Sequence, residues 1–322
     1  MVDGKATHPR LSFPAPAKIN LCLKILGKEA DGYHSLQTVF HFLDINDTLH
    51  FTRRDDNQIN LICRFPKGEL LVPQEQNLVF KAVNLLSAYA QEQGLAIEQK
   101  GVDIELDKHL PMGGGIGGGS SNAATTLLVL NQFWKLFFSI DTLAELGLRL
   151  GADVPVFIRG KSALAEGRGE RLSPIKIAEF YYVLIKPRCH VSTAQIFQHQ
   201  DLTRDSSPRT IRAFLTGGQS FQGLEKLIEI GNDCQQLVRK LYPEVDVAIH
   251  TLSQFSKAQL TGTGACVFAP FETQALANQA LLSLRTTSAN EQWFEQAHVV
   301  KGMNESPLHA DLQQINWGVA KR

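Results

Sequence analysis

Two parts of this sequence combine residue types and spacings that could move a phosphoryl group. The run Pro111-Met112-Gly113-Gly114-Gly115-Ile116-Gly117-Gly118-Gly119-Ser120-Ser121 holds six glycines within seven residues and leads straight into an apolar helical stripe that starts at Ala123. Glycine loses more backbone freedom on ordering than any other residue, roughly 0.5 to 1 kcal/mol each against alanine in regular structure, so a dense cluster calls for a use. Close approach of backbone amides to an anion is one. The helix behind adds unpaired N–H groups and a positive dipole end, and Ser120 and Ser121 add hydroxyls for phosphate or Mg²⁺. A flexible surface loop is the plain alternative. A sharper rival is the dinucleotide fingerprint, since Gly113, Gly115 and Gly118 satisfy G-x-G-x-x-G. The run is longer in glycine than that fingerprint requires, and Asp141 is placed to cap a helix rather than to end a second strand, so the phosphate cradle is favoured. Gly160-Lys161-Ser162 matches the tail of a P-loop, but Pro155 stands where its first glycine would be, and that reading fails.

The second part is a pair of charges. Asp153 sits in a short turn, Gly151-Ala152-Asp153-Val154-Pro155, and Lys18 projects from the polar face of an alternating strand. Phosphoryl transfer to an alcohol commonly uses an aspartate to orient or deprotonate the hydroxyl, and a lysine beside it would lower the cost of forming an alkoxide there. Read plainly, the aspartate is a cap and the lysine a solvated strand residue. Asp31-Gly32-Tyr33-His34 offers an aromatic ring and an imidazole that could stack on and hydrogen-bond a heterocyclic base, or a turn with Tyr33 packed on the core. Thr261-Gly262-Thr263-Gly264 reads either as a tight turn or as a second backbone wall for phosphates.

The elements that must position these residues follow from periodicity. Residues 17–25 alternate, with Ile19, Leu21, Leu23 and Ile25 on one face and Lys18, Asn20, Cys22 and Lys24 on the other, which predicts a half-buried strand. Further strands are expected at 36–43, 48–52, 58–62, 102–106, 182–185 and 260–268. Asn77 opens a helix with Leu78, Ala82, Leu85 and Tyr89 on one face and a stop at Gly94. Ala123, Leu127, Leu130, Trp134 and Phe137 give a second helix, and residues 141–150 a third that ends at Gly151.

The whole chain of 322 residues, 43% hydrophobic, is long enough for two lobes that each bury a core. Basic and acidic residues balance at 32 each, so no overall positive field is available for nucleic acid or an anionic membrane. The five scattered cysteines show no C-x-x-C spacing, and the histidines show no H-x-x-x-H. A disulfide framework and a protein-built metal site are therefore not expected, and a reducing cytoplasm fits. No apolar run approaches a membrane span, and the first dozen residues lack the core of a secretory signal.

In order and spacing over nearly the whole chain, Pro16-Ala17-Lys18-Ile19-Asn20-Leu21, Asp31-Gly32-Tyr33-His34, the run 111–121, Gly151-Ala152-Asp153-Val154-Pro155 and Gly262-Thr263-Gly264 resemble the superfamily of galactokinase, homoserine kinase, mevalonate kinase and phosphomevalonate kinase, the GHMP kinases. The resemblance implies a two-lobed α+β fold: a lead-in at 1–12, a ribosomal-S5-like nucleotide-binding lobe at 13–172 and a ferredoxin-like lobe at 173–322 that completes the cleft. It implies ATP with Mg²⁺ as donor, Asp153 as general base, Lys18 as its charged partner, residues 111–121 on the triphosphate, and Lys108 and Asn77 near the adenine end. On the acceptor side it implies a cytidine-diphosphate-linked methylerythritol phosphorylated on its 2-hydroxyl, with Tyr33 and Phe197 sandwiching cytosine, His34 reading its edge, and Asn20 and Thr193 near the erythritol or diphosphate. Mevalonate or homoserine as acceptor, or a ligand-binding regulator on the same scaffold, are the alternatives. A monomer or weak homodimer is expected.

Overall fold

The computed structural model describes residues 8–29, 34–65, 74–98, 100–208, 211, 221–286, 293–315 and 317. Its first half comprises β1 (Leu11–Lys28), β2 (His34–Arg53), β3 (Ile59–Arg64), α1 (Leu78–Glu92), β4 (Val102–Asp107), α2 (Gly118–Phe133), α3 (Ile140–Leu150), α4 (Val154–Arg159), β5 (Ala163–Gly167) and β6 (Arg171–Pro174). The second comprises β7 (Tyr181–Pro187), α5 (Thr193–Gln198), α6 (Phe221–Ile230), α7 (Gln235–Leu241), α8 (Pro243–Leu252), β8 (Gln259–Leu260), β9 (Val267–Phe271), α9 (Gln274–Thr286), β10 (Phe294–Met303) and α10 (Pro307–Gln314). This is the α+β mixture expected. No helix among the described residues is long and apolar enough to cross a membrane.

The strands expected at 36–43 and 48–52 are one strand, β2, because the polar residues between them do not turn the chain. Asp44 accepts the Lys301 amide at 2.7 Å, and Asp47 accepts the amides of His109 and Leu110 at 2.8 Å each, so both carboxylates bond across to other segments rather than to their own backbone. β2 then serves as the hub of the sheet. It pairs antiparallel with β1, β4 and β5, and at Leu43 and Phe42 with Gly302 and Met303 of β10. β10 carries the sheet on to β7, β9 and β8, giving the order β3-β4-β2-β10-β7-β9-β8.

β1 is not half-buried as its alternation suggested. Lys18 and Asn20 are each only 2% exposed, and Cys22 is fully buried. The apolar face packs Ile19 and Leu21 with Tyr182, Phe268 and Leu227 of the second half, while the glycine run and the 261–264 loop cover the polar face. Irregularities between Pro16 and Lys18, and between Asn20 and Cys22, set the direction of the polar pair. A separate core packs β1, β2 and β4 against α1, α2, α3 and α4, joined from the far end of the chain by Leu308 and by Trp317, whose ring stacks 6.1 Å from Phe13.

Two helix boundaries differ from expectation. α2 stops at Phe133, because the Asn131 side chain accepts from the Phe138 amide at 2.9 Å and donates to its carbonyl at 3.0 Å, which turns the chain and leaves Phe137 exposed. α3 is capped by Ser139, whose hydroxyl accepts the Thr142 amide at 3.1 Å. Asp141 lies inside the first turn and pairs with Arg159 at 2.8 Å.

Candidate active site

The glycine run forms one wall of a cavity of about 380 Å³, completed by Asn77, Leu78, Lys108 and Cys63. Gly113, Gly115 and Gly117 have φ of 61°, 70° and 75°, a conformation that glycine adopts without strain. There is no room for side chains either. A Cβ on Gly113 would lie 2.4 Å from His190 Nδ1, and one on Gly115 2.3 Å from the Thr261 carbonyl. Gly117 is the N-cap of α2 and brings no side chain to cap it, so the amides of Gly118, Gly119 and Ser120 have no partner within the helix and border the cavity. With the dipole end of α2, this donor set fits a polyphosphate. Ile116 anchors the loop: it is buried, and its carbonyl accepts the Lys18 amide at 3.0 Å.

The loop is also pinned from the second half. The Ala265 and Cys266 amides donate to the Gly113 and Gly114 carbonyls at 3.0 Å each, and Asn232 Nδ2 donates to the carbonyls of Leu260 and Gly262 at 2.9 and 2.8 Å. The Thr261-Gly262-Thr263-Gly264 segment is both a tight turn, with the Gly264 amide on the Thr261 carbonyl at 2.9 Å, and a wall behind the glycine loop.

A second cavity of about 310 Å³ lies beyond, lined by Lys18, Asn20, Thr38, Phe40, Phe197, Gly262 and Thr263 among others. The two cavities share Gly115, Ser120, Asp153 and Thr193. At this junction Lys18 Nζ lies 3.1 Å from Asp153 Oδ2, donates to Asn20 Oδ1 at 2.7 Å and donates to the Gly115 carbonyl at 3.1 Å. An ammonium has three hydrogens, and these contacts use all of them, so Lys18 is fixed. Asp153 stands at the N-cap of α4 yet makes no capping hydrogen bond. Its carboxylate turns instead to Lys18, leaving a second oxygen for a hydroxyl in the second cavity. Asn20 is held by donation from Nδ2 to Thr38 Oγ1 at 2.8 Å and from its amide to Thr261 Oγ1 at 2.9 Å. Thr193 Oγ1 bonds Thr263 Oγ1 at 2.8 Å.

His34, at the start of β2, lies with its ring 5.1 Å from that of Phe197, tilted 33°. Burial, then the neighbouring charges of Arg204 and Lys28, hold its imidazolium form below the usual histidine range. Tyr33 lies outside the described residues. Lys108 and Asn77 both border the first cavity, and Asn77 Oδ1 also caps α1 by accepting the Val79 amide at 2.9 Å. Ser121 differs from the rest of the run: it is fully buried and borders neither cavity, so Ser120 supplies the accessible hydroxyl. The buried thiols of Cys22 and Cys266, pushed up to about 12 by desolvation, are not thiolate nucleophiles at neutral pH.

Sequence reasoning missed three residues here. Asp47, fully buried, receives Lys108 Nζ as well as the two amides that lead into the glycine loop. Arg168 borders the second cavity from the turn between β5 and β6. Arg204 donates to His34. Each is a single charged residue in a strand or loop with no motif around it; the 61-residue separation of Asp47 and Lys108 carries no local signal.

Residues 77–161 match the family described as GHMP kinases N terminal domain, and residues 210–290 the family described as GHMP kinases C terminal. The chain is 45% identical over 311 residues to the 4-diphosphocytidyl-2-C-methyl-D-erythritol kinase of Tolumonas auensis, covering 96% of this chain and 99% of the other. It is 48% identical over 306 residues to the protein of that name from Pseudomonas paraeruginosa, covering 95% and 99%. A crystal structure of 4-(cytidine 5'-diphospho)-2C-methyl-D-erythritol kinase superposes with a TM-score of 0.67 at 28% identity, covering 91% of this chain and 99% of that one.

Proposed function

The chain belongs to the GHMP kinase family and groups there with the 4-diphosphocytidyl-2-C-methyl-D-erythritol kinases, and on that premise we infer that it transfers the γ-phosphoryl group of ATP to 4-diphosphocytidyl-2-C-methyl-D-erythritol. The products are ADP and the acceptor's 2-phosphate, within non-mevalonate isoprenoid precursor synthesis. The observation that carries the catalytic reading is the Lys18–Asp153 pair at the junction of two cavities, one built for phosphates and one bounded by side chains. Residues 13–172 are the nucleotide-binding lobe in this reading, and 173–322 complete the cleft.

ATP lies in the first cavity, its triphosphate against the loop amides and the α2 N-terminus, with Lys108 and Asn77 toward the base. The acceptor lies in the second, its cytosine between Tyr33 and Phe197 against His34, its erythritol near Asn20 and Thr193. Asp153 accepts the proton of the 2-hydroxyl as that oxygen bonds to the γ-phosphorus and the bond to the β-phosphate oxygen breaks. Lys18 holds Asp153 in place and stabilises negative charge at the attacking oxygen. The loop amides, fixed before the reaction, meet the charge that develops on the transferring group. Mg²⁺ fits this site as a companion of the triphosphate: Ser120, whose hydroxyl borders the cavity, would help hold it, and the ion when bound would neutralise phosphate charge. Among the described residues no group of three His, Cys, Asp or Glu side chains could hold an ion unaided.

The test is product analysis. With ATP, Mg²⁺ and the cytidylylated acceptor, phosphorus NMR should show ADP and one new phosphomonoester coupled to the C2 centre of the erythritol in equal amounts. A phosphomonoester on another hydroxyl, or ADP with free phosphate only, would refute the assigned acceptor geometry.

A further inference from the structure

We propose that Arg204 is a positioning residue that sets the tautomer of His34, so that His34 meets the substrate's base as a neutral ring donating from Nδ1. The inference deepens the reading of the second cavity and rests on it. Arg204 Nε lies 3.1 Å from His34 Nε2. A guanidinium has donors only, and it keeps its charge at any pH a protein survives. Nε2 must therefore present its lone pair, and the single ring proton of neutral imidazole is left on Nδ1. A second proton on His34 would set N–H against N–H beside a fixed positive charge, in line with the lowered range imposed by burial, Arg204 and Lys28.

Arg204 is itself immobilised by backbone. Nη2 donates to the carbonyls of Phe197 and His199 at 2.9 and 2.6 Å, and Nη1 to the Leu202 carbonyl at 3.1 Å. Those first two carbonyls belong to the C-terminal end of α5, where helix carbonyls lack partners and a cation is favoured. One side chain thus ties together the ring that stacks, Phe197, and the ring that hydrogen-bonds, His34, whose centroids lie 5.1 Å apart. Phe197 borders the second cavity, and His34, which does not line it, stands directly behind through its ring contact with Phe197.

The chemical consequence is selection by edge. An Nδ1–H donor is satisfied by a base that offers a ring nitrogen or carbonyl oxygen there, as the N3/O2 edge of cytosine does. The opposite tautomer would place a lone pair against those acceptors and leave both unpaired. Arg204 touches no reacting atom; it acts only through His34 and the end of α5.

The experiment uses the full-length protein with ¹⁵N-labelled histidine. Long-range ¹H–¹⁵N correlation at pH 8 should show His34 with its proton on Nδ1, and titration with cytidine 5'-diphosphate should perturb that nitrogen. In Arg204→Met the ring should move toward the Nε2–H tautomer. The acceptor KM and the cytidine 5'-diphosphate Kd should each rise about tenfold or more, with kcat and the ATP KM within about threefold. Arg204→Lys, which keeps the charge but gathers its donors on one nitrogen, should recover part of the loss. A wild-type His34 carrying its proton on Nε2 overturns the inference without any variant having to fold. So does a Met variant with unchanged tautomer and unchanged cytidine 5'-diphosphate affinity. If wild type shows the Nδ1–H tautomer but no perturbation by cytidine 5'-diphosphate while still turning over the cytidylylated acceptor, the base contact proposed for His34 is wrong and the kinase reading stands. Absence of turnover would instead remove the kinase reading itself.

Discussion

In the first cavity, proposed above as the donor side, a ligand would meet backbone, from one contiguous run in which Gly113, Gly115 and Gly117 hold left-handed φ and α2 contributes its first-turn amides. In the second, proposed as the acceptor side, it would meet side chains brought from β1, β2, α5 and the 261–264 turn: Lys18 and Asn20, Thr38, Thr193 and Phe197, and Thr263. Among the described residues four border both cavities, and Asp153 is the carboxylate among them. Phosphates look alike whatever carries them, so amides on a rigid loop suffice to hold them. An acceptor must be told from other alcohols, and that takes side chains with particular shapes and donors. The difference implies that the two sides can be damaged separately, and that damage at their junction should affect turnover rather than either affinity.

The largest effect is expected at that junction. Asp153→Asn should lower kcat by roughly 10²- to 10⁴-fold, the range for losing a positioned general base, with both KM values within a few-fold in steady-state ADP-release assays. A change confined to KM would move Asp153 from the chemistry to binding. Next come the aromatic residues. Tyr33→Ala and Phe197→Ala should each weaken acceptor binding by about 1 to 3 kcal/mol, the worth of a base stack in comparable sites, and leave the ATP KM alone. If ATP binding weakened equally, the two sides would not be separate. On the donor side Gly113→Ala, which must accommodate a left-handed alanine and displace His190, should weaken ATP binding by about 1 to 2 kcal/mol, read as a raised ATP KM, with cytidine 5'-diphosphate affinity unchanged.

The smallest effect on activity is expected away from both sides. His41 is fully buried, bonds Tyr182 Oη through Nδ1 at 2.9 Å, and is pushed by burial from 6.5 to about 3. The folded value is the lower one, so between about 3 and 6.5 the unfolded chain binds more protons than the folded one. The contribution of neutral His41 is complete above 6.5 and is lost as pH falls through that window, at up to about 1.4 kcal/mol per pH unit. Urea unfolding at pH 7.5 and 5.5 should show this extra loss in wild type relative to His41→Gln, with similar substrate affinities at pH 7.5. Equal losses in the two proteins would show that His41 is not held neutral by the fold.

The same contrast governs what could be read in the sequence. The glycine loop was legible because its geometry is encoded residue by residue: glycines where φ is positive, and a helix start directly behind. The pairing of Lys18 with Asp153 was legible, since these are the two charges that a transfer reaction would bring together. Its burial was not, because alternation along β1 marks one apolar face but cannot show that the second half of the chain will cover the other. Asp47 and Arg204 were invisible for a related reason. Each acts by bonding backbone amides or carbonyls of another segment, and backbone partners leave no mark in residue type. β2 was divided in error because Asp44, Asn46 and Asp47 are ordinary turn formers, and the cross-segment bonds of the two aspartates decided otherwise.

The most direct test of the central claim is ADP release by the purified protein with ATP and Mg²⁺ across 4-diphosphocytidyl-2-C-methyl-D-erythritol, mevalonate, homoserine and galactose. Turnover with the cytidylylated acceptor alone is the expected result. Turnover with mevalonate or homoserine would keep the donor side and discard the acceptor side as described, and ATP binding without turnover on any acceptor would contradict the account by making the chain a ligand-binding regulator.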